Sequence, residues 1–167
     1  MKNIYIDARK ENDLTQQEAS DKMETISQDR LTRIETGKIT ITPNDVVEMS
    51  QAYKRPDLCN YYCSHECAIG KQTITEIKPT QLSEIILKML ASLNKIEKEK
   101  NQLIDITADG EISKEELKDF VRIENELNNI SYTVETLKLW IQQMLANGSI
   151  DKAEYEKIKS EFKFSQK

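Results

Sequence analysis

A chain of 167 residues is long enough for one domain or two small ones, and 38% apolar with 32% charged residues is typical of a folded, helix-rich protein. No apolar run approaches membrane-spanning length and nothing resembles a signal peptide, so we expect a cytoplasmic protein with reduced cysteines. The net charge of −5 excludes strong attraction to nucleic acid through bulk positive charge. Residues 1–70 carry nine Lys and Arg against twelve Asp and Glu, a balance of −3.

The first two helices are predicted from capping residues and apolar spacing. Residues 3–13 favour a first helix. A second helix begins at the capping box Thr15–Glu18, in which each of the two side chains satisfies a backbone N–H. Ala19 and Met23 give this helix an apolar side, and Glu24–Thr25 is the predicted link to the next helix.

A third, short helix is predicted from Ser27 to Gly37, because serine is a good N-cap and glycine tolerates the left-handed conformation that ends a helix. Leu31 and Ile34 lie on one face of this helix. The opposite face is polar and consists of Gln28, Asp29, Thr32 and Arg33. Such a face suits base edges, since arginine pairs with guanine and glutamine with adenine.

These helices resemble the helix-turn-helix of the Cro and phage-repressor-like family, also called the xenobiotic-response-element family. The resemblance covers residues 3–58, about a third of the chain, with a link between the second and third helices one residue longer than usual. It is carried by Thr15–Gln16, Ala19, Ile26–Ser27, Leu31–Thr32, Ile34–Glu35 and Gly37, and by a fourth helix with Thr42–Pro43, Val46–Val47, Met49 and Ala52.

The resemblance implies that the third helix enters the major groove of double-stranded DNA. The side chains expected to face bases are Gln28, Asp29, Thr32 and Arg33, and those expected to approach phosphates are Gln16, Ser27, Thr36, Lys38 and Thr40. The family pattern also pairs the guanidinium of Arg9 with the carboxylate of Glu35, although a solvated arginine stays open as the alternative.

A fifth helix opening at Pro56–Asp57 leads into a cluster of Cys59, Cys63, His65 and Cys67, which are residue types that bind zinc. Four ligands within nine residues of one helix do not easily form a tetrahedron, and zinc sites usually draw their ligands from two separated segments. We therefore expect half-buried thiols here, with no metal and no cofactor.

The second half of the chain has a heptad pattern, after a predicted linker over 71–79 that follows the helix-breaking Gly70. Its apolar seams predict coiled-coil packing and comprise Leu82, Ile86, Met89, Leu93, Ile96 and Leu103, then Phe120, Ile123, Leu127, Ile130, Val134, Leu137, Ile141 and Met144. Lys100 is the one polar residue in the first seam. Surplus apolar residues such as Ile85, Leu90, Leu139 and Trp140 need a further layer, which is either a last helix with Tyr155, Ile158 and Phe162 facing inward or a second chain.

The turn Ala108–Glu111 joins these runs into an antiparallel hairpin, and Ser113–Glu116 is a capping box for its second helix. The segment Asp105–Glu116 is similar to a calcium-binding EF-hand loop. It departs from that motif at Thr107, where a carboxylate or amide is usual. A glycine stop and a serine cap explain the same residues without a metal, so no calcium is expected.

Together these patterns predict an all-α protein with a helix-turn-helix domain over 1–70, a linker over 71–79 and a helical hairpin or three-helix bundle over 80–167. No enzyme signature is present. We expect a repressor-like, sequence-specific DNA-binding regulator that forms a homodimer or binds a protein partner through 80–167. The alternative is a protein-interaction module that keeps the helix-turn-helix fold without DNA affinity.

Overall fold

The computed structural model describes residues 3–106 and 110–164, which form nine α-helices and no strand, so the predicted all-α class is confirmed. None of the helices in these residues is both long and apolar enough to cross a membrane. The helices are α1 (Ile4–Glu11), α2 (Gln16–Ser20), α3 (Gln28–Glu35), α4 (Pro43–Ala52), α5 (Asp57–His65), α6 (Gly70–Thr73), α7 (Leu82–Ile106), α8 (Leu117–Ala146) and α9 (Lys152–Phe164).

The chain divides into two compact units. The first runs to Glu76 and also contains the segment from Ile141 onward, and the second is Ile77–Trp140. This division differs from the expected boundaries, which assigned all of 80–167 to one domain. The assignment of separate functions to 1–70 and 80–167 stays a prediction.

The core of the first unit lies among α1 to α5. Local capping chemistry fixes where these helices begin: Thr15 with Glu18 and Thr42 with Asp45 each form a complete capping box, and Pro43 occupies the first turn of α4. The buried apolar side chains of this core are Tyr5, Ala8, Ala19, Ile26, Leu31, Ile34, Ile41, Val46, Met49, Tyr53 and Leu58.

Gly70 was predicted to break a helix, but the structure gives it another role. It begins the short helix α6, and its backbone lies so close to α5 that a Cβ built on it would be 2.1 Å from the carbonyl oxygen of Cys63. The position requires glycine because α5 and α6 approach each other there, while α5 ends earlier, at His65.

The end of α8 belongs to the first unit. The side-chain amide of Gln143 donates a hydrogen bond of 3.0 Å to the backbone carbonyl of Lys54, just after α4. In α9, however, Ile158 and Phe162 are 44% and 70% exposed, and Tyr155 is half-buried. The prediction that these three residues face inward is therefore wrong for Ile158 and Phe162.

In the second unit α7 and α8 are antiparallel, as the hairpin prediction requires. Lys95 Nζ lies 2.8 Å from Glu126 Oε1, and Arg122 Nε lies 3.0 Å from Glu99 Oε1. The predicted capping box is present, since the backbone N–H of Ser113 donates to Glu116 and the N–H of Glu116 donates to Ser113. The turn at Ala108–Glu111 and the loop Asp105–Glu116 include residues 107–109, which lie outside the described residues.

The apolar seam predicted for α7 is only partly the surface that meets α8, since Met89, Ile96 and Leu103 of that seam are half-buried. Leu82, Ile86 and Leu93 are each at least 36% exposed. Ile85 is 1% exposed, although it was predicted to be surplus, and Leu139 is buried as well. Heptad spacing identified an apolar face correctly but could not show which partner that face meets.

We expect Gly70→Ala to lower the free energy of unfolding by about 1–3 kcal/mol, because the new methyl group overlaps a backbone carbonyl that cannot rotate away. This loss exceeds the gain of about 0.4–1 kcal/mol that alanine brings by restricting the unfolded chain. Urea unfolding followed by circular dichroism measures the difference, with the exposed neighbour Lys71→Ala as control. Equal stability of Gly70→Ala and the native protein would contradict the close approach.

Candidate nucleic-acid interface

Helix α3 is delimited by the residues that predicted it. The Ser27 hydroxyl accepts from the backbone N–H of Arg30 at 3.3 Å, and Gly37 takes a positive φ of 69° just after the C-cap. Leu31 and Ile34 are buried on the inner face of the helix. Because Leu31 and Ile34 pack into the core, the opposite face of α3 points to solvent.

A buried ion pair ties α3 to α1. The guanidinium of Arg9 donates to both carboxylate oxygens of Glu35, at 2.6 and 2.8 Å, and the two side chains are 10% and 3% exposed. A third N–H of Arg9 reaches the carbonyl of Leu14 at 2.7 Å, in the turn before α2. The hydrogen bonds that Arg9 donates to Glu35 raise the pKa of Arg9, against the opposing effect of burial, so the arginine stays charged.

Gln16 connects this ion pair to the outer face of α3. Its amide nitrogen donates to Glu35 Oε2 at 2.8 Å, and its amide oxygen lies 3.0 Å from the Thr32 hydroxyl. That hydroxyl is also 2.8 Å from the backbone carbonyl of Gln28. The structure thus joins Gln16, expected to approach phosphate, to Thr32, expected to face bases.

The other residues expected to face bases lie on the solvent side of α3. Gln28, Asp29 and Arg33 are exposed, and Arg33 Nη1 is 3.9 Å from Asp29 Oδ2 with both side chains more than half exposed. Of the residues expected to approach phosphates, Ser27, Thr36, Lys38 and Thr40 are exposed. Thr36 donates its hydroxyl to the carbonyl of Thr32 at 2.7 Å.

A second ion pair holds α3 from the opposite side, and sequence reasoning missed it. Arg30 donates to both carboxylate oxygens of Asp45 in α4, at 2.9 and 2.7 Å. Asp45 also accepts from the backbone N–H and hydroxyl of Thr42 at 2.8 Å each. Burial raises the pKa of Asp45, but the bonds from Arg30 and Thr42 outweigh this effect and leave it below its usual value. The available signal was the capping box of α4, which places an acid beside α3.

The link between α2 and α3 is longer than the predicted Glu24–Thr25, because α2 ends at Ser20. Glu48 of α4 holds this link in place. Its carboxylate accepts from the backbone N–H groups of Glu24 and Thr25 at 2.8 and 2.9 Å and from the Thr25 hydroxyl at 2.5 Å. Met23, predicted to lie on α2, follows its end and still packs against the core.

The thiol cluster has no metal-binding arrangement in the described residues. Cys59, Cys63 and Cys67 are free and half-buried, and no group of three or more His, Cys, Asp or Glu in the described ranges could hold an ion. Burial and the two neighbouring thiols raise the pKa of Cys63, which disfavours the thiolate that a metal requires. His65 instead stacks on Tyr61, with ring centroids 4.3 Å apart. That the protein holds no metal stays a prediction.

Breaking the buried Arg9–Glu35 pair should cost far more stability than breaking the exposed Asp29–Arg33 pair. We expect Arg9→Met and Glu35→Gln each to lose about 3–5 kcal/mol, because each leaves a buried partner uncompensated. A double-mutant cycle should show strong coupling between them, and a matched cycle of Asp29→Asn and Arg33→Gln only about 0–1 kcal/mol. Equal coupling in the two cycles would refute a special role for the buried pair.

The lowered pKa of Asp45 predicts an acid-sensitive contribution to stability. Because its pKa is lower in the folded than in the unfolded state, the contribution is complete above the unfolded value of about 3.9 and disappears as the pH falls through the folded value. Asp45→Asn should therefore flatten the decrease of the melting temperature below about pH 5. Asp29→Asn, which removes an 83% exposed carboxylate, is the control for the change in net charge.

Comparison with known proteins agrees with this arrangement. The family model described as helix-turn-helix matches residues 6–57, a range that contains all of α2, α3 and α4. No curated protein and no solved structure matches the chain significantly. Residues 6–57 are therefore a helix-turn-helix domain similar to those of the Cro and phage-repressor-like family, whose members are DNA-binding regulators.

Proposed function

We propose that the protein is a repressor-like transcriptional regulator that recognises a specific DNA sequence by inserting α3 into the major groove. The observation that carries the proposal is the contrast between the two faces of α3. Its inner side is fixed by Leu31, Ile34 and two bidentate ion pairs, while Gln28, Asp29 and Arg33 project into solvent. A rigid helix with exposed hydrogen-bonding groups is what base recognition requires.

The base-facing residues have distinct chemical preferences. Arg33 can donate two hydrogen bonds to guanine, and Gln28 can donate to and accept from adenine. Asp29 is an acceptor and suits the amino group of cytosine. Thr32 is only half-buried, and its methyl group suits contact with the methyl group of thymine.

Phosphate contacts are proposed for Ser27, Thr36, Lys38 and Thr40, which are all exposed. We include Gln16 although its amide already contacts Glu35 and Thr32. An amide nitrogen has two N–H groups, and the bond to Glu35 uses one of them. The second can donate to a phosphate without disturbing the ion pair.

Because residues 1–70 carry a net negative charge, we expect a single copy to bind DNA weakly. The balance of −3 in residues 1–70 gives little counterion release, so affinity must come from specific contacts and from the joining of two reading helices. A homodimer formed through the C-terminal half places two copies of α3 on paired half-sites and raises the effective concentration of the second copy. Residues 80–167 also offer a surface for a protein partner.

The acidity of the N-terminal half also favours the second candidate, a protein-interaction module without DNA affinity. Asp29 in particular, with its side chain 83% exposed, opposes phosphate approach to the start of α3. Selection of binding sites from a random duplex pool separates the two functions. Recovery of a defined, preferably two-fold symmetric sequence supports the regulator, and failure to recover any sequence supports the interaction module.

For the selected duplex we expect Arg33→Ala to weaken binding by about 1–3 kcal/mol, because a bidentate base contact is lost. The melting temperature should not change, since the Arg33 side chain is 53% exposed. Fluorescence anisotropy at fixed salt measures the affinity, and Lys10→Ala, an exposed cation on α1, is the control. If the melting temperature of Arg33→Ala collapses, Arg33 supports the fold and the assignment of the outer face is wrong.

A further inference from the structure

The contact between α7 and α8 combines ion pairs with buried apolar side chains. It contains the ion pairs Lys95–Glu126 and Arg122–Glu99, and Arg122 also donates to the side-chain oxygen of Gln102 at 2.9 Å. The buried residues of α7 are Ile85, Ser92 and Ile106. Ile85 and Ser92 are seven residues apart, and Ile106 follows after a further fourteen, so they form one line along the helix.

Eight other apolar residues of these helices lie outside this buried line and face solvent. Each is between 36% and 57% exposed. We call this set the apolar stripe, and its members are Leu82, Ile86, Leu90, Leu93 and Ile104 on α7 and Leu117, Val121 and Leu127 on α8.

The exposed residues of the two helices lie on the same flank of the hairpin. Ile86 follows the contact residue Ile85 by one position, and Leu93 follows Ser92 in the same way. On α8, Leu127 follows the contact residue Glu126 by one position. Each step of one residue turns a helix by about 100°, and in two antiparallel helices the same step from the contact line leads to the same flank. The apolar stripe is therefore one two-helix surface.

We infer that the apolar stripe is the homodimer interface and that a second copy of this chain covers it, so that two hairpins form a four-helix bundle. The inference deepens the proposed function and rests on its homodimer. The heptad spacing of Leu82, Ile86 and Leu93, continued by half-buried Met89 and Ile96, is the pattern by which helices pack on helices. A second hairpin of the same sequence supplies a matching surface under two-fold symmetry.

The size of the surface agrees with this occupant. The stripe joins eight apolar side chains that are each 36% to 57% exposed, which is a larger set than the singly scattered apolar residues of an ordinary monomer surface. Two-fold symmetry is also the symmetry of paired DNA half-sites, which the proposed function requires. A second copy therefore explains the stripe and the proposed use of two reading helices together.

Lys100 marks a weak point within this interface. It stands seven residues after Leu93, at a position where the seam continues, and its ammonium lies 3.6 Å from Glu97 on the same helix. A single polar residue in a seam lowers the stability of the assembly and restricts its register. The interface is therefore specific and moderately weak, so that its strength can be raised as well as lowered.

The test is sedimentation of the full chain and three variants up to tens of micromolar. The double variant Ile86→Glu with Leu93→Glu should weaken self-association at least about 100-fold, because four carboxylates enter the bundle. Lys100→Leu should strengthen self-association about tenfold or more, since it completes the seam. The control is Ala91→Glu, which adds the same charge at an exposed position at least 100° from every stripe residue of α7 and should leave association unchanged.

Helix content by circular dichroism verifies that every variant is folded, and Lys100→Leu tests the interface without removing any apolar group. A monomeric native chain, a double variant that still dimerises, or equal effects of Ala91→Glu and the double variant would overturn the interface. The selected duplex separates this result from the proposed function. A monomer that binds the duplex defeats the interface alone, whereas a dimer that dissociates in the double variant but binds no duplex defeats the function alone.

Discussion

The buried ion pair between Arg9 and Glu35 is the constraint on which the helix-turn-helix domain depends. One carboxylate accepts two hydrogen bonds from Arg9 and one from Gln16, and the remaining contact of the guanidinium reaches the Leu14 carbonyl. The ion pair therefore connects α1, α2 and α3 with the turn before α2. Removing two charges from water costs several kcal/mol per ion, which the full set of donors and acceptors offsets. The net contribution of the ion pair to the free energy of unfolding is therefore small, and its main effect is to fix the orientation of the helices that it joins.

Orientation is what the proposed recognition helix needs, and contacts from both α1 and α4 orient α3. Glu35 at its C-terminal end is held by α1, and Arg30 in its first turn is held by Asp45 of α4. Both contacts are bidentate, so each restricts rotation as well as distance. The apolar contacts of Leu31 and Ile34 alone would allow α3 to slide or roll. The two ion pairs leave it one position, and the direction of Arg33 follows from that position.

The features predicted correctly from the sequence are those set by neighbouring residues in the chain. The caps of α2, α3 and α4 were readable because cap and helix are neighbours in the chain, and the Arg9–Glu35 pair was readable only through a family resemblance. Other contacts between residues far apart in the chain were not predicted. They include the ion pair Arg30–Asp45 and the hydrogen bonds that the α2–α3 link donates to Glu48. Periodicity showed that α7 has an apolar face, but it could not show which part of that face meets α8, where Ile85, Ser92 and Ile106 are buried.

The hold of Glu48 on the α2–α3 link has a consequence for protein engineering. A turn in this motif is usually regarded as a property of its own residues, so that the two helices can be transplanted together. Here the backbone donors of Glu24 and Thr25 are satisfied by a side chain from α4, which lets the turn accept an additional residue without losing its hydrogen bonds. The smallest portable unit of this motif is therefore α1 to α4, because a graft without α4 would lose Glu48 and a graft without α1 would leave the buried Glu35 without Arg9.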